Sequence, residues 1–507
     1  MLRKHEPKEE APSGHTIMPR KHGPKEEAPF GYTIMPRKRG QKEEIKMNQN
    51  TKTLDAPGHN QITEGVIWKQ LLLFFFPILF GTFFQQLYNT ADAVVVGRFV
   101  GKEALAAVGG PTGTLINLLI GIFVGLSSGA GVIISQFYGA KKESQVSLAV
   151  HTAAAFSIIG GIVLMFVGFF LAPSALRAMG TPDDIMDYSV LYLRIYFLGA
   201  IPNLFYNMGA GILRAAGNSR HPLYFLIASC FTNIVLDLVF VVSFHMGVAG
   251  AAAATIISQF VSAVLVARVL IRTNQSYRLK VKDIGIDREM LKQMTRIGFP
   301  AALQSVMYSS SNVIIQAAVN SLGTDTIAAW TAYSKIDSIF WMIISAFGIA
   351  VTTFVGQNYG AGKKDRVYKG IRICMIMGFI SAFVLSVLLY YFGSYIYLLF
   401  TNDRDVIEKG MEILRFLSPA FFTYVCIEIY SGSLRGVGDS WIPMIITALG
   451  ICGLRVFWIL VAVPVRPGIR TLIFSYPLTW VITSLLFIVY FNWFSPLKRL
   501  RLPRLGQ

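Results

Sequence analysis

The sequence predicts an all-α polytopic membrane protein, with twelve transmembrane helices in two six-helix lobes related by a pseudo-twofold axis along the membrane normal. Three observations lead there. Apolar segments of about 20 residues, the length needed to cross the hydrocarbon core, recur along nearly the whole chain. Of 507 residues, 53% are hydrophobic and 15% charged, with a mean hydropathy of +0.52. Landmark motifs of the first half return in the second after 221 to 223 residues.

Residues 1–66 come first and are polar and basic. They hold a tandem duplication, PKEEAPSGHTIMPRKHG from Pro7 and PKEEAPFGYTIMPRKRG from Pro24. Such Pro-, Gly-, Lys- and Glu-rich copies cannot bury a core, so a disordered tail is expected. A basic arm on anionic headgroups is the other reading of it. No apolar stretch follows the first basic residues, which argues against a signal peptide.

Spans are then expected near 67–97, 104–137, 146–172, 188–213, 220–244 and 248–272, forming an N-lobe over 67–272. A basic linker follows at 273–289, read as a solvated connection that obeys the orientation rule. The C-lobe, 290–494, holds spans near 290–320, 326–358, 367–396, 407–433, 441–463 and 469–494, and a basic tail closes the chain at 495–507. Lys and Arg number 22 on the side of the even-numbered loops and the C-terminal tail against 7 on the other. The positive-inside rule therefore puts both termini in the cytoplasm of a cell whose plasma or inner membrane holds the protein.

The repeat is carried by specific residues. Pro77 and Asn89 in the first span match Pro300 and Asn312 in the seventh. SQFYGAKK at Ser135 matches GQNYGAGKK at Gly356, and LRAAGNSRHP at Leu213 matches LRGVGDSWIP at Leu434. Six spans per repeat is an even number, so both copies enter from the same side and a substrate path is expected at their interface.

Polar residues inside the spans are the functional candidates, because hydrocarbon penalises ionisable groups. Gln85, Tyr88 and Asp92 fall at i, i+3 and i+7 on one helical face. Ala93 to Val96 prolong the apolar run beyond Asp92, which argues against a helix that ends early and leaves the acid solvated. Asn233 and Asp237 share a face of the fifth span. At 1.5 Å per residue, Asp237 lies about 25 Å from the basic-side start of its span and Thr255 about 10 Å in from the opposite side. Oxygen ligands from three spans thus reach one depth. Carboxylates, an amide and a hydroxyl suit Na⁺, or a proton shared by two acids. Structural hydrogen bonding is the plainer reading of Asp237, and a bond to its own backbone that of Thr255.

The second half departs from this pattern. Asp92 matches Ile315, Asp237 matches Trp458, and Asn207 matches Glu428. Glu428 is expected to pair with Arg455, or to meet cationic ligands as a cavity residue. Lys335 and Asp337 do not face each other at i, i+2.

Other classes fit poorly. The net charge of +18 is gathered at helix ends and in the tail, so nucleic acid is not expected. Cys230, Cys374, Cys426 and Cys452 show no metal-ligand spacing. No HExxH motif or Walker A loop appears, so neither an enzyme nor direct ATP drive is expected.

YNTAD at Tyr88, followed by Gly101 and ALAAVG from Ala104, resembles the first-helix signature of the MATE (multidrug and toxic compound extrusion) transporters. SQFYGAKK, LRAAGNS and LRGVGDSWIP resemble that family's loop motifs, and the likeness covers about residues 62–497. The fit is closest to the DinF-like bacterial and archaeal branch. That resemblance implies secondary efflux of cationic or amphipathic drugs in exchange for Na⁺ or H⁺, with no further cofactor. It places the N-lobe cation site on Gln85, Asp92, Asn233, Asp237 and Thr255, with Asp92 and Asp237 as the ligands if the ion is Na⁺. Asn203 and Asn207 join as fourth-span polar residues, beside Tyr88 and Glu428 in the cavity, and the helix kink falls on Pro77. The NorM-like branch has an acid in the seventh helix, which this chain lacks. A monomer in the lipid bilayer is expected. A lipid or lipid-linked-sugar flippase of the same superfamily is the alternative, disfavoured by the acidic and neutral cavity candidates.

Overall fold

The computed structural model describes residues 61–401 and 403–501, which are almost wholly helical. Most of the N-terminal tail, with its duplication, and the last residues of the C-terminal tail lie outside them.

Helices α1 (Ile67–Phe99), α2 (Lys102–Gly109), α3 (Pro111–Gly139), α4 (Glu143–Ala178), α5 (Asp183–Leu198), α6 (Ala200–Ala215), α7 (Arg220–Asp237) and α8 (Gly247–Arg272) build the first lobe. Helices α9 (Arg288–Asn320), α10 (Thr324–Gly360), α11 (Lys364–Tyr397), α12 (Arg404–Leu417), α13 (Phe421–Gly436), α14 (Trp441–Thr447), α15 (Leu454–Val465) and α16 (Ile469–Val489) build the second. They form twelve rods at the expected places. Among the described residues, ten are long and apolar enough to cross a membrane on length and composition. The fourth rod is interrupted at Gly199 between α5 and α6 and opens on Asp183 and Asp184; the seventh carries Ser309, Ser310, Ser311 and Asn312. A rod enclosed by neighbours can hold such residues, since every polar group at membrane depth needs a protein or water partner.

Breaks follow the sequence locally. Pro111, at the first position of α3, needs no hydrogen-bonded N–H there and ends the continuity with α2. Pro77 lies inside α1, which continues as a helix through it. Asp237 closes α7, and the chain widens at once into a π-helical turn, Leu238–Ser243. Such turns cluster at functional positions.

The lobes meet through small residues. A Cβ added at Gly125 would strike the backbone of Ala302, and one at Gly298 the Leu126 carbonyl, so α3 and α9 cross in close backbone contact. At the basic end α3 meets α10 the same way, since a Cβ at Gly139 would overlap the Gln357 carbonyl and one at Gly360 the Gln136 carbonyl. The contact obeys the repeat. Gln136 Nε2 donates to the Gly436 carbonyl (2.8 Å), and Gln357 Nε2 donates to the Ala215 carbonyl (2.6 Å). Both donors and both acceptors are 221 residues apart.

Helix α1 belongs to both lobes. Leu71, Phe74, Phe75 and Ile78 join the core of the second lobe, with Phe75 stacked on Phe347 (ring centroids 4.1 Å apart). Val95 and Val96 join the core of the first, with Tyr192 and Leu193. Pro77 sits where the packing changes hands, because Gly81 already lies against Leu226 of α7.

Two expectations change. The end of the tail is ordered: Gln61–Thr63 form a 3₁₀ turn, and carbonyls of residues 62–65 accept from the second lobe. Lys363 Nζ donates to Thr63 (2.8 Å); Arg366 donates to Ile62 (3.1 Å), Glu64 (2.7 Å) and Gly65 (2.7 Å). The linker is docked rather than solvated. Tyr277 and Leu279 are buried, the Lys280 N–H donates to His151 Nε2 (3.0 Å), and the Asp287 N–H donates to Thr152 Oγ1 (3.3 Å).

Candidate functional site

The first lobe buries two acids. Asp92 is 6% exposed and Asp237 fully buried, and the two carboxylates lie within electrostatic reach of each other. Helix α1 supplies Asp92 from the part that packs in the first lobe; α7 supplies Asn233 and Asp237 one turn apart, the acid at the mouth of the π turn. Close packing of α7 against α1 and α8 brings these elements together.

The oxygens there are short of partners. Tyr192 Oη donates to Asp92 Oδ2 across 3.4 Å, at the long limit of a hydrogen bond. Asp92 Oδ1, both oxygens of Asp237 and the whole side-chain amide of Asn233 are buried with no protein partner. Buried polar groups are normally paired, and a fully buried carboxylate without a donor is costly. A monovalent cation, a proton or ordered water would satisfy this set of hard oxygens. Among the described residues there is no group of three or more His, Cys, Asp or Glu that could hold a metal ion.

The remaining sequence candidates divide. Thr255, 4% exposed, donates to its own Ala251 carbonyl (3.0 Å), which leaves its oxygen lone pairs available, and Tyr192 also reaches its hydroxyl. Tyr88 is half-buried and faces Gln85, Asp92 and Tyr196, whereas Gln85 itself is exposed. Asn207 Nδ2 turns onto the carbonyl and Oδ1 of Asn203, both at 3.0 Å, so these two form a pair of their own.

Sequence reasoning missed Tyr192, Tyr196 and Gln259. Tyr196 accepts from Gln259 Nε2 (3.4 Å) and stacks on Tyr192; all three are buried, and the two tyrosines lie within reach of Asp92. The signal was the i, i+4 spacing of two tyrosines in a charged, broken span.

The second lobe does not make the expected Glu428–Arg455 pair. Glu428 meets Arg435 (3.6 Å), two turns along the same helix, because α13 lays its carboxylate over Gly348 of α10. Arg455 is 3% exposed, donates to Thr479 Oγ1 (3.2 Å) and lies over the Tyr476 ring at 4.0 Å. An aromatic face and a hydroxyl hold a guanidinium well away from water. Asp337 accepts from Trp341 Nε1 (2.7 Å) within electrostatic reach of Arg455, while Lys335 is exposed. The second lobe thus buries a fixed cation where the first buries unsatisfied acids.

Comparison with known proteins agrees with this architecture. The MatE family model matches twice, over residues 77–239 and 300–460, the two halves of the repeat. The chain is similar to the "probable multidrug resistance protein YoeA" of Bacillus subtilis, 31% identical over 399 residues that cover 77% of this chain and 86% of the relative. It is 29% identical over 405 residues to the "probable multidrug resistance protein YpnP" of the same organism, covering 78% and 87%. A MOP superfamily transporter from Pyrococcus furiosus superposes with a TM-score of 0.82 at 22% identity, over 88% of this chain and 99% of that one. With its doubled family match and a relative 31% identical over most of both chains, the chain belongs to the MATE family of multidrug efflux transporters.

Proposed function

We propose that this chain is a secondary active exporter of cationic or amphipathic drugs, of the DinF-like branch, driven by inward movement of Na⁺ or H⁺ through the first lobe. The observation that carries the reading is the pair Asp92 and Asp237, buried together with Asp92 Oδ1 and both Asp237 oxygens lacking a protein donor. Asn233, Thr255 and Gln85 complete the candidate cation site. Tyr88, Asn203, Asn207 and Glu428 are assigned to the substrate path between the lobes.

Coupling requires the ion to distinguish two lobe arrangements. Helix α1 offers the means, since it carries Asp92 at one end and packs into the second lobe at the other. Pro77 removes one backbone hydrogen bond between these two parts, so the helix bends most easily there. Neutralising the acids with an ion relieves their mutual repulsion and lets α1 adopt a different bend. The drug's place between the lobes changes with it, and drug and ion alternate. The excess of Lys and Arg on one side supports a cytoplasmic basic end and cytoplasmic termini.

The test is uptake of a fluorescent cationic dye into everted vesicles under imposed Na⁺ or H⁺ gradients, for wild type and Asp92→Asn. One gradient should drive uptake, naming the ion, and Asp92→Asn should reduce that uptake to the level seen without a gradient. Unchanged, gradient-dependent uptake in the variant would overturn the assignment. No uptake under either gradient by inserted wild-type protein would favour a lipid substrate.

A further inference from the structure

At the basic end a groove of about 410 Å³ opens between the start of α1 and the start of α11. Gly65, Ile67 and Trp68 line it on one side; Arg366, Lys369 and Ile373 on the other. Its walls are the starts of α1 and α11, both packed into the core of the second lobe, and Gly65, at the end of the strap bound by Arg366, lines it.

We propose that this groove binds an anionic phospholipid at the basic end of the second lobe. Arg366 and Lys369 bring two positive charges to its lining and Asp365 one negative charge; beside them stand Glu64 of the strap, next to Arg366, and the cationic Lys363, bound to Thr63. Arg366 spends its Nη hydrogens on the strap, so its contribution is charge, and Lys369, exposed, is left to meet a phosphate. Trp68, 54% exposed, lies at the mouth, where interfacial tryptophans sit in membranes. Below the mouth, Ile373 continues into the exposed Ile376, Ile380 and Phe383 of α11, at successive helical turns. Phe76 and Phe80 are exposed on α1, which packs beside α11. A basic mouth above an apolar gutter is the form of a phospholipid, with the phosphate at the mouth and an acyl chain below.

The inference does not depend on what is transported, and native mass spectrometry of the full chain tests it. Phosphatidylglycerol and phosphatidylcholine of matched chains would be titrated against wild type, Lys369→Gln and, as a control for general charge, Lys142→Gln. A near-surface lysine is worth about 1 kcal/mol toward anionic lipid, or about fivefold in affinity. Phosphatidylglycerol should bind more tightly than phosphatidylcholine, and Lys369→Gln should weaken it about fivefold with Lys142→Gln unchanged. Equal binding of the two lipids, or equal loss in both variants, would show ordinary annular lipid and overturn the site. Displacement by glycerol phosphate at matched concentration would mean a soluble phosphate ester site and would equally overturn the lipid assignment.

Discussion

Asp92 and Asp237 look alike in the sequence, but their surroundings differ. Asp92 has one oxygen held at 3.4 Å by Tyr192; Asp237 has no donor from the protein. Both acids were legible because an acid flanked by apolar residues is costly unless it functions. Tyr192 was not, because a tyrosine in a membrane helix carries no such penalty and its role depends on which rod faces α1. Tyr192→Phe removes the donor and keeps the ring. Deleting one such hydrogen bond costs about 1 kcal/mol, so the ion concentration giving half-maximal dye efflux should change by about fivefold while the melting temperature stays put. A second residue tests burial rather than function. Asp439, in the loop before α14, accepts from Tyr490 Oη at 2.6 Å, yet burial pushes its carboxyl above the ordinary carboxylate range. A raised folded-state value means the neutral form suits the fold, so its stabilisation is present at low pH and lost as the acid ionises. Asp439→Asn should therefore raise the melting temperature at pH 8 and leave it unchanged at pH 4.

At the scale of the element, hydropathy located the rods, and local chemistry explains their breaks. What they could not give is which rods share a core. Helix α1 reads as the first member of the first lobe, yet its basic half is buried among Ile344, Phe347 and Phe354 of α10. Apolar residues line nearly every face of a membrane helix, so pattern alone cannot say which neighbour each face meets. The expected Glu428–Arg455 pair failed for a related reason. Helix periodicity fixes neighbours within a rod, such as Glu428 with Arg435, but not the rotation of one rod against the next. The crossing role of α1 gives a prediction. Pro77→Ala restores a helical N–H and removes the proline's clash, stabilising a straight helix by up to about 3 kcal/mol. Drug efflux should fall at least severalfold in protein whose expression and melting temperature equal or exceed wild type. Unimpaired efflux would show that the bend near Pro77 is not used.

At the scale of the molecule, the repeat foretold two lobes about a pseudo-twofold axis and left unstated how they touch. The contact at the basic end is itself twofold: Gln136 to Gly436 and Gln357 to Ala215, with Gly139 against the Gln357 backbone and Gly360 against the Gln136 backbone where the helices cross. Its residues lie within the SQFYGAKK, GQNYGAGKK, LRAAGNS and LRGVGDS segments, so the motifs that reveal the repeat also hold its copies together. Any transport cycle with alternating access must open this contact. Each glutamine is a neutral donor to a carbonyl in a tight crossing, worth about 1 kcal/mol net. Two such bonds set a barrier that binding energies can overcome. Gln136→Leu with Gln357→Leu removes both donors and leaves two acceptors unpaired, so the pair should shift the balance toward an open basic end by about 2 kcal/mol, or roughly thirtyfold. Gly356 lies against the Ser135 hydroxyl inside the same contact, which makes Ser135→Cys, in a background lacking the four native cysteines, a reporter of opening. A hydrophilic thiol reagent should label it slowly in the reporter protein and many times faster once both glutamines are replaced. Each single replacement should give an intermediate rate, since the two bonds are equivalent by symmetry. Equal labelling in all four proteins would mean that the glycine crossing alone keeps this end shut. The glutamines would then only satisfy two carbonyls.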